Sequence, residues 1–359
     1  MLASLGLSAA ASAAASAAER PPVVLYGVVD LSIGRTDARN ALGHTRMMSG
    51  VQSGSRFGLR GSEDIGGGNR INFVLESGFL ANDGKSAQGG RLFGRAAWVG
   101  VSGRLGELRL GRQTSVSSLV LSEFDPFLGS YLNTGAQTTL LSYNANRADN
   151  TVSYATPVLH GWRLSMDYSF DYDSRGATTA QASNLASAAL VHKQDNFSIA
   201  GTFETVDWGR GSPQQDAMRR AGADRQPYVA TLAGTLDLQP ATLYGGVAYM
   251  RHGSTIPAVP SPGQLTYFPG STVKAAMLGA TWRLGAGSIL GSWQVSLPEN
   301  SGTLKQQDAT HRQMVYSGGY SHDLSKRTNV YGIVAYLDGG WQDRNRSEMQ
   351  YAVGLRHRF

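Results

Sequence analysis

A chain of 359 residues without a single cysteine excludes disulfide scaffolds, thiolate catalysis, zinc ribbons and iron–sulfur clusters. Glycine supplies 45 residues, well above its usual share of roughly 7%, while the apolar fraction of 41% falls below that of ordinary globular chains. The net charge is +6, but the arginines that dominate it are scattered singly rather than in runs, which argues against nucleic acid as a partner.

The opening residues, Leu2 to Ala18, are charge-free, rich in alanine and serine, and end in Ser16-Ala17-Ala18. This pattern fits the end of a secretory signal peptide cleaved after Ala18, with its charged start missing or upstream. Residues 1–18 are therefore expected to be a leader and residues 19–359 one exported domain. No segment reads as a membrane helix.

From Val23 onward the period is two. Val23, Leu25, Gly27, Val29, Leu31 and Ile33 fall on one face, and Tyr26, Asp30 and Ser32 on the other. Alternating segments then follow at about 45–62, 68–80, 91–102, 106–113, 146–156, 161–172, 184–193, 197–208, 226–238, 241–252, 271–283, 287–297, 310–322, 327–338 and 348–359. With 23–34 they number sixteen, and no amphipathic helix of useful length separates them. Short connections such as Gly103-Arg104-Leu105-Gly106 and Gln239-Pro240 alternate with long ones such as 114–145, 209–225, 253–270 and 298–309. Tight turns at one end, long loops at the other and an even strand count are the pattern of a transmembrane β-barrel.

The expected fold is thus all-β: a 16-stranded antiparallel transmembrane β-barrel with short periplasmic turns and long outer loops. Lipid offers no hydrogen bonds, so a spanning sheet must close on itself. Its apolar face turns outward and its polar face lines the lumen, which accounts for the modest apolar fraction. Tyr26, Trp98, Tyr154, Trp162, Trp282 and Phe359 lie near strand ends and suit interfacial girdles. Sixteen strands leave an aqueous channel where smaller barrels are filled by side chains.

Several motifs, in order, resemble Gram-negative general porins of the beta-proteobacterial type: Leu25-Tyr26-Gly27-Val28-Val29-Asp30, Gly54-Ser55-Arg56-Phe57-Gly58-Leu59-Arg60-Gly61, Leu75-Glu76-Ser77-Gly78-Phe79, Leu92-Phe93-Gly94-Arg95-Ala96-Ala97-Trp98, Arg147-Ala148-Asp149-Asn150-Thr151-Val152 and the closing Gly354-Leu355-Arg356-His357-Arg358-Phe359. They are densest in the first 160 residues. The resemblance implies a homotrimer of barrels in outer-membrane lipid, passing small hydrophilic solutes and inorganic anions. It also implies a third outer loop folded inward, for which 114–145, the longest connection, stands in the right place. Phe359 resembles the terminal signal read by the outer-membrane assembly machinery.

The expected chemistry is electrostatic, since a narrow ring of fixed charge concentrates ions of opposite sign. With Phe57 and Leu59 toward lipid, Arg56 and Arg60 face the lumen. With Val152 and Tyr154 toward lipid, Arg147 and Asp149 do so. Trp98 outward would place Arg95 inward. The resemblance implies an arginine ladder at Arg56, Arg95 and Arg147, with Arg60 and Asp149 as secondary lumen candidates. It also implies loop carboxylates opposite, for which Glu123 and Asp125 are the candidates, in a stretch that departs from the enterobacterial Pro-Glu-Phe-Gly-Gly. Three arginines against fewer acids predict anion preference.

No catalytic or cofactor-binding residue is assigned. The seven histidines lack metal-ligand spacing, and Gly66-Gly67-Gly68 lacks the Lys-Ser/Thr that follows a phosphate loop. Two other readings remain open: a substrate-specific channel, for which the inward Tyr26 is the main support, and a non-conducting adhesion or structural barrel.

Overall fold

The computed structural model describes residues 23–39, 43–129, 134, 147–172, 174, 178, 180–220, 222, 226–252, 272–299, 311–339 and 345–359. The candidate leader, 1–18, lies outside them. The strands are β1 (Val23–Ala38), β2 (Arg46–Ser49), β3 (Arg56–Gly66), β4 (Asn69–Gly78), β5 (Ala96–Gly103), β6 (Gly106–Thr114), β7 (Arg147–Ala155), β8 (Trp162–Ser169), β9 (Asn184–Gln194), β10 (Phe197–Asp207), β11 (Tyr228–Asp237), β12 (Ala241–Arg251), β13 (Thr272–Leu284), β14 (Gly287–Glu299), β15 (Gln313–Asp323), β16 (Thr328–Asp338) and β17 (Ser347–Arg358). Two short helices, α1 (Val116–Leu121) and α2 (Pro213–Arg220), interrupt long connections.

Every pairing is antiparallel. β1 pairs with β3 from Val23↔Gly61 to Val28↔Arg56. Each later strand pairs with the next, and β17 returns to β1 from Val28↔Arg358 to Ala38↔Glu348. Gly27 and Phe359 exchange both backbone hydrogen bonds at 3.1 Å, which seals the seam. The circuit β1, β3 to β17 is a closed barrel of sixteen strands, with no free edge left to satisfy.

β2 stands outside that circuit and pairs only with β1, from Leu31↔Ser49 to Gly34↔Arg46. The alternation predicts one strand over 45–62, and the structure divides it. Residues 50–55 leave the ladder after Gly50, whose φ of +72° favours glycine. The Gln52 and Ser53 N–H groups instead donate to Asp30 Oδ2 at 3.0 and 2.6 Å. The Tyr331 hydroxyl donates to Asp30 Oδ1 at 2.5 Å. One buried carboxylate thus replaces the strand partners those amides forgo.

The polarity of the sheet is inverted relative to a soluble protein. Leu25, Ile33, Leu278 and Val353 are each at least 60% exposed on the outer face, whereas Asp30, Gln294, Gln313 and Gln350 are fully buried. Trp162, Trp282 and Phe359 lie on the outer face near the short-turn end, each about half exposed. Trp98 does not join them. β5 starts only at Ala96, and its register sets Trp98 opposite Val74 and Gly111, on the same face as Arg109, whose guanidinium lies 4.6 Å from the indole. Trp98 and Tyr26 both face inward, which corrects the outward expectation for Trp98. The alternation assumed across 91–102 fails because Arg91–Arg95 is not strand.

Candidate functional site

The connection from β6 to β7 carries α1 and is described as far as Gly129, and again at Thr134. Its start is tethered to the barrel wall. The Val116 N–H donates to Asp167 Oδ2 on β8 at 2.6 Å, and Asp167 Oδ1 accepts from the Ser187 amide and hydroxyl on β9. α1 then packs on β8, β9 and β10. Leu121 and Phe124, 1% and 2% exposed, enter a cluster with Leu185, Met250 and Met277. Fully burying each such side chain is worth ~1.5–3 kcal/mol.

The segment continues along the inner wall. Phe127 joins a second cluster with Val51, Tyr331 and Ile333. Two wall glycines make room: a Cβ at Gly279 would lie 2.7 Å from Pro126 Cγ, and one at Gly319 would lie 3.1 Å from Phe127 Cε1. The Thr134 carbonyl accepts from Ser292 Oγ and Gln294 Nε2 on β14, at 3.2 and 3.0 Å. The described part of the loop is therefore held against the inner wall from β8 round to β16, and the opposite wall is β3 to β7.

On that opposite wall the structure brings Arg56, Arg95 and Arg147 together. Arg95 Nε donates to Glu76 Oε1 at 2.6 Å, and Arg56 Nε lies 3.6 Å from Glu76 Oε2. The Tyr26 hydroxyl donates to the same Oε2 at 2.8 Å. Arg147 Nε donates to the Arg95 carbonyl at 3.1 Å. Arg60 lies on the same face as Arg56, four residues along β3, its guanidinium 5.2 Å from the Tyr26 ring centroid. Arg56 and Arg95 thus share the Glu76 carboxylate, and Arg147 joins them through a backbone carbonyl.

The remaining candidates are occupied in other ways. Asp149 is buried between Arg112 Nη1 at 2.5 Å and Arg91 Nη1 at 2.6 Å. These two arginines, not Arg147, hold its carboxylate. A bulge between Gly111 and Gln113, with Gly111 at φ +125°, breaks the β6–β7 register at this point. Glu123 is half-exposed and pairs with Lys193 on β9 at 2.7 Å. Asp125 is fully buried, and its carboxylate accepts the N–H groups of Phe127 at 3.0 Å and Gly129 at 2.8 Å. Its position fits a loop brace.

Three side chains that meet the candidate residues or their loop were not among those expected from the sequence. Glu76 was legible in principle, since Leu75 outward places it inward. Asp167 was legible in the same way, between Met166 and Tyr168 on the outer face. Lys193 was legible by the same parity, with Leu190 on the outer face, but its pairing with Glu123 depends on where the loop lies. Among the described residues, no group of three or more His, Asp or Glu side chains could hold a metal ion.

Residues 2–340 match the family model described as Gram-negative porin. An outer membrane porin of Bordetella pertussis is 31% identical, over 96% of this chain and 96% of its own. The anion-selective porin from Comamonas acidovorans superposes with a TM-score of 0.74 at 24% identity, over 94% of this chain and 99% of that one. OmpT of Vibrio cholerae, in a trimer form, superposes with a TM-score of 0.67 at 13% identity, over 94% and 99%. With its closed sixteen-strand barrel, inverted polarity and inward-folded loop, the chain belongs to the Gram-negative porin family and is a protein of the outer membrane.

Proposed function

We propose that this porin is a passive diffusion channel for small hydrophilic solutes with a preference for anions, and that Arg56, Arg95 and Arg147 set that preference. The observation that carries the proposal is the gathering of basic side chains on the β3–β7 wall, where Arg56 and Arg95 share Glu76 and Arg147 joins them through the Arg95 carbonyl. The loop acids do little to offset them: Glu123 is paired with Lys193, and Asp125 is turned into its own loop. In a narrow bore with low-dielectric walls such an excess raises the local anion concentration. The structural neighbour from Comamonas acidovorans is an anion-selective porin, which supports the same reading.

No catalytic step and no cofactor enter this function. The assembly we propose is a homotrimer with one pore per subunit, in keeping with the trimeric form of the Vibrio neighbour. Phe359, which closes the β1–β17 seam, serves as the recognition signal for the barrel-assembly machinery. Single-channel recording across a planar bilayer under a KCl gradient tests both parts. Current steps grouped in threes and a reversal potential of anionic sign are expected. Replacing Arg56, Arg95 and Arg147 together by glutamine should abolish the preference, and an unchanged reversal potential in that variant would refute the role of the ladder.

A further inference from the structure

Below α1, toward the short turns, the lumen holds a cavity of about 300 Å3 away from the Glu76 cluster. Its floor is apolar: Val116, Leu119 and Val120 from the loop, and Val191 from β9. Leu119 is 48% exposed although it lies inside the barrel. A channel for hydrophilic solutes gains nothing from an aliphatic side chain left bare to its water.

The rim is charged. Arg109 Nη2 donates to Glu107 at 2.7 Å and stacks on Trp98. Lys193 is matched by Glu123. Arg163, from the start of β8, is 44% exposed and meets Glu107 only at 3.9 Å. Glu107 is thus shared between two guanidinium groups, one well bound and one not. Three cations face two carboxylates, which leaves one positive charge beside an apolar floor. A cavity near the lower end of ligand-pocket sizes (~300–1,000 Å3) takes a small ligand. Its complement is a monoanion with a short apolar body.

We propose that this niche is a binding station for small amphiphilic monocarboxylates, with Arg163 taking the carboxylate and Leu119, Val120 and Val191 the hydrocarbon. The proposal rests on the open-channel reading above and narrows its solute class. It separates a hexanoate-like anion from acetate, which has the charge without the apolar body.

The test uses the full chain in planar bilayers, with block of the KCl current measured against each variant's own KCl conductance. Hexanoate should reduce the current at concentrations where acetate does not. Arg163→Gln should raise the half-blocking concentration about tenfold, the effect of one lost charge-assisted hydrogen bond. Arg163→Lys keeps the charge without the fork and should fall between. Leu119→Asn should raise it about fivefold through lost apolar contact. Equal block by acetate and hexanoate, or no change in the Arg163 variants, would overturn the niche. Absence of any KCl conductance would instead defeat the channel reading. In that case calorimetric titration of hexanoate into the folded detergent-solubilised protein still decides, since binding that does not depend on Arg163 overturns the proposal.

Discussion

Glu76 offers the most direct test of the charge balance, because its removal should strengthen anion preference rather than weaken it. In Glu76→Gln the cluster loses the carboxylate that Arg56 and Arg95 share. The amide oxygen can still accept from Arg95 Nε, so this guanidinium, 11% exposed, keeps a hydrogen-bonded partner. The change adds one unit of positive charge. At roughly 6 Å from a passing ion, in water and with a Debye length near 10 Å, that unit is worth about 0.4 kcal/mol. Anion occupancy rises about twofold and cation occupancy falls by the same factor, so the chloride-to-potassium permeability ratio should rise roughly fourfold. Reversal potentials under a KCl gradient measure it, with trimer migration in unheated gels as the folding control. A ratio that stays level or falls in a folded, conducting variant would refute the argument that Glu76 offsets the ladder.

Other perturbations separate the loop's architecture from its charge. Asp125→Ala removes two hydrogen bonds from a buried carboxylate, each worth about 1.5–3 kcal/mol, and should give a noisier open-channel current with little change in ion preference. Gly319→Val places a branched side chain where a single Cβ already lies 3.1 Å from Phe127, so single-channel conductance should change and the trimer should dissociate at lower temperature on gels. Phe359→Ala keeps both backbone bonds to Gly27 but loses a half-exposed ring worth about 1 kcal/mol; refolding into lipid vesicles, followed by heat-modifiable gel mobility, should slow.

The barrel was legible because period two survives along almost every strand. Segments expected at 241–252, 287–297 and 327–338 appear as Ala241–Arg251, Gly287–Glu299 and Thr328–Asp338. The reading failed where the backbone leaves the ladder for a tertiary reason. Residues 50–55 turn inward because Asp30, more than twenty positions earlier, waits to receive their amides. Trp98 was turned the wrong way because a strand was assumed to begin at 91, five residues before Ala96. Arg95 nonetheless meets the lumen cluster, through a contact with Glu76 from just outside the strand.

The same distinction governs the charges. A strand carboxylate such as Glu76 has its side set by its neighbours, so its place in the charge balance follows from Leu75 and Phe73 beside it. A loop carboxylate has no such rule. Glu123 and Asp125 lie two residues apart, yet one pairs with a lysine on the adjoining wall strand and the other binds its own backbone. What separates them is the docking of Leu121, Phe124 and Phe127 onto distant strands, which rolls the loop about its own axis. The net charge of +6 is equally silent, since selectivity depends on which charges share the narrow part of the bore. For a channel of this kind the side taken by a strand charge such as Arg56 or Glu76 is written in strand parity, whereas Arg95 and the loop acids are placed by contacts made outside the ladder.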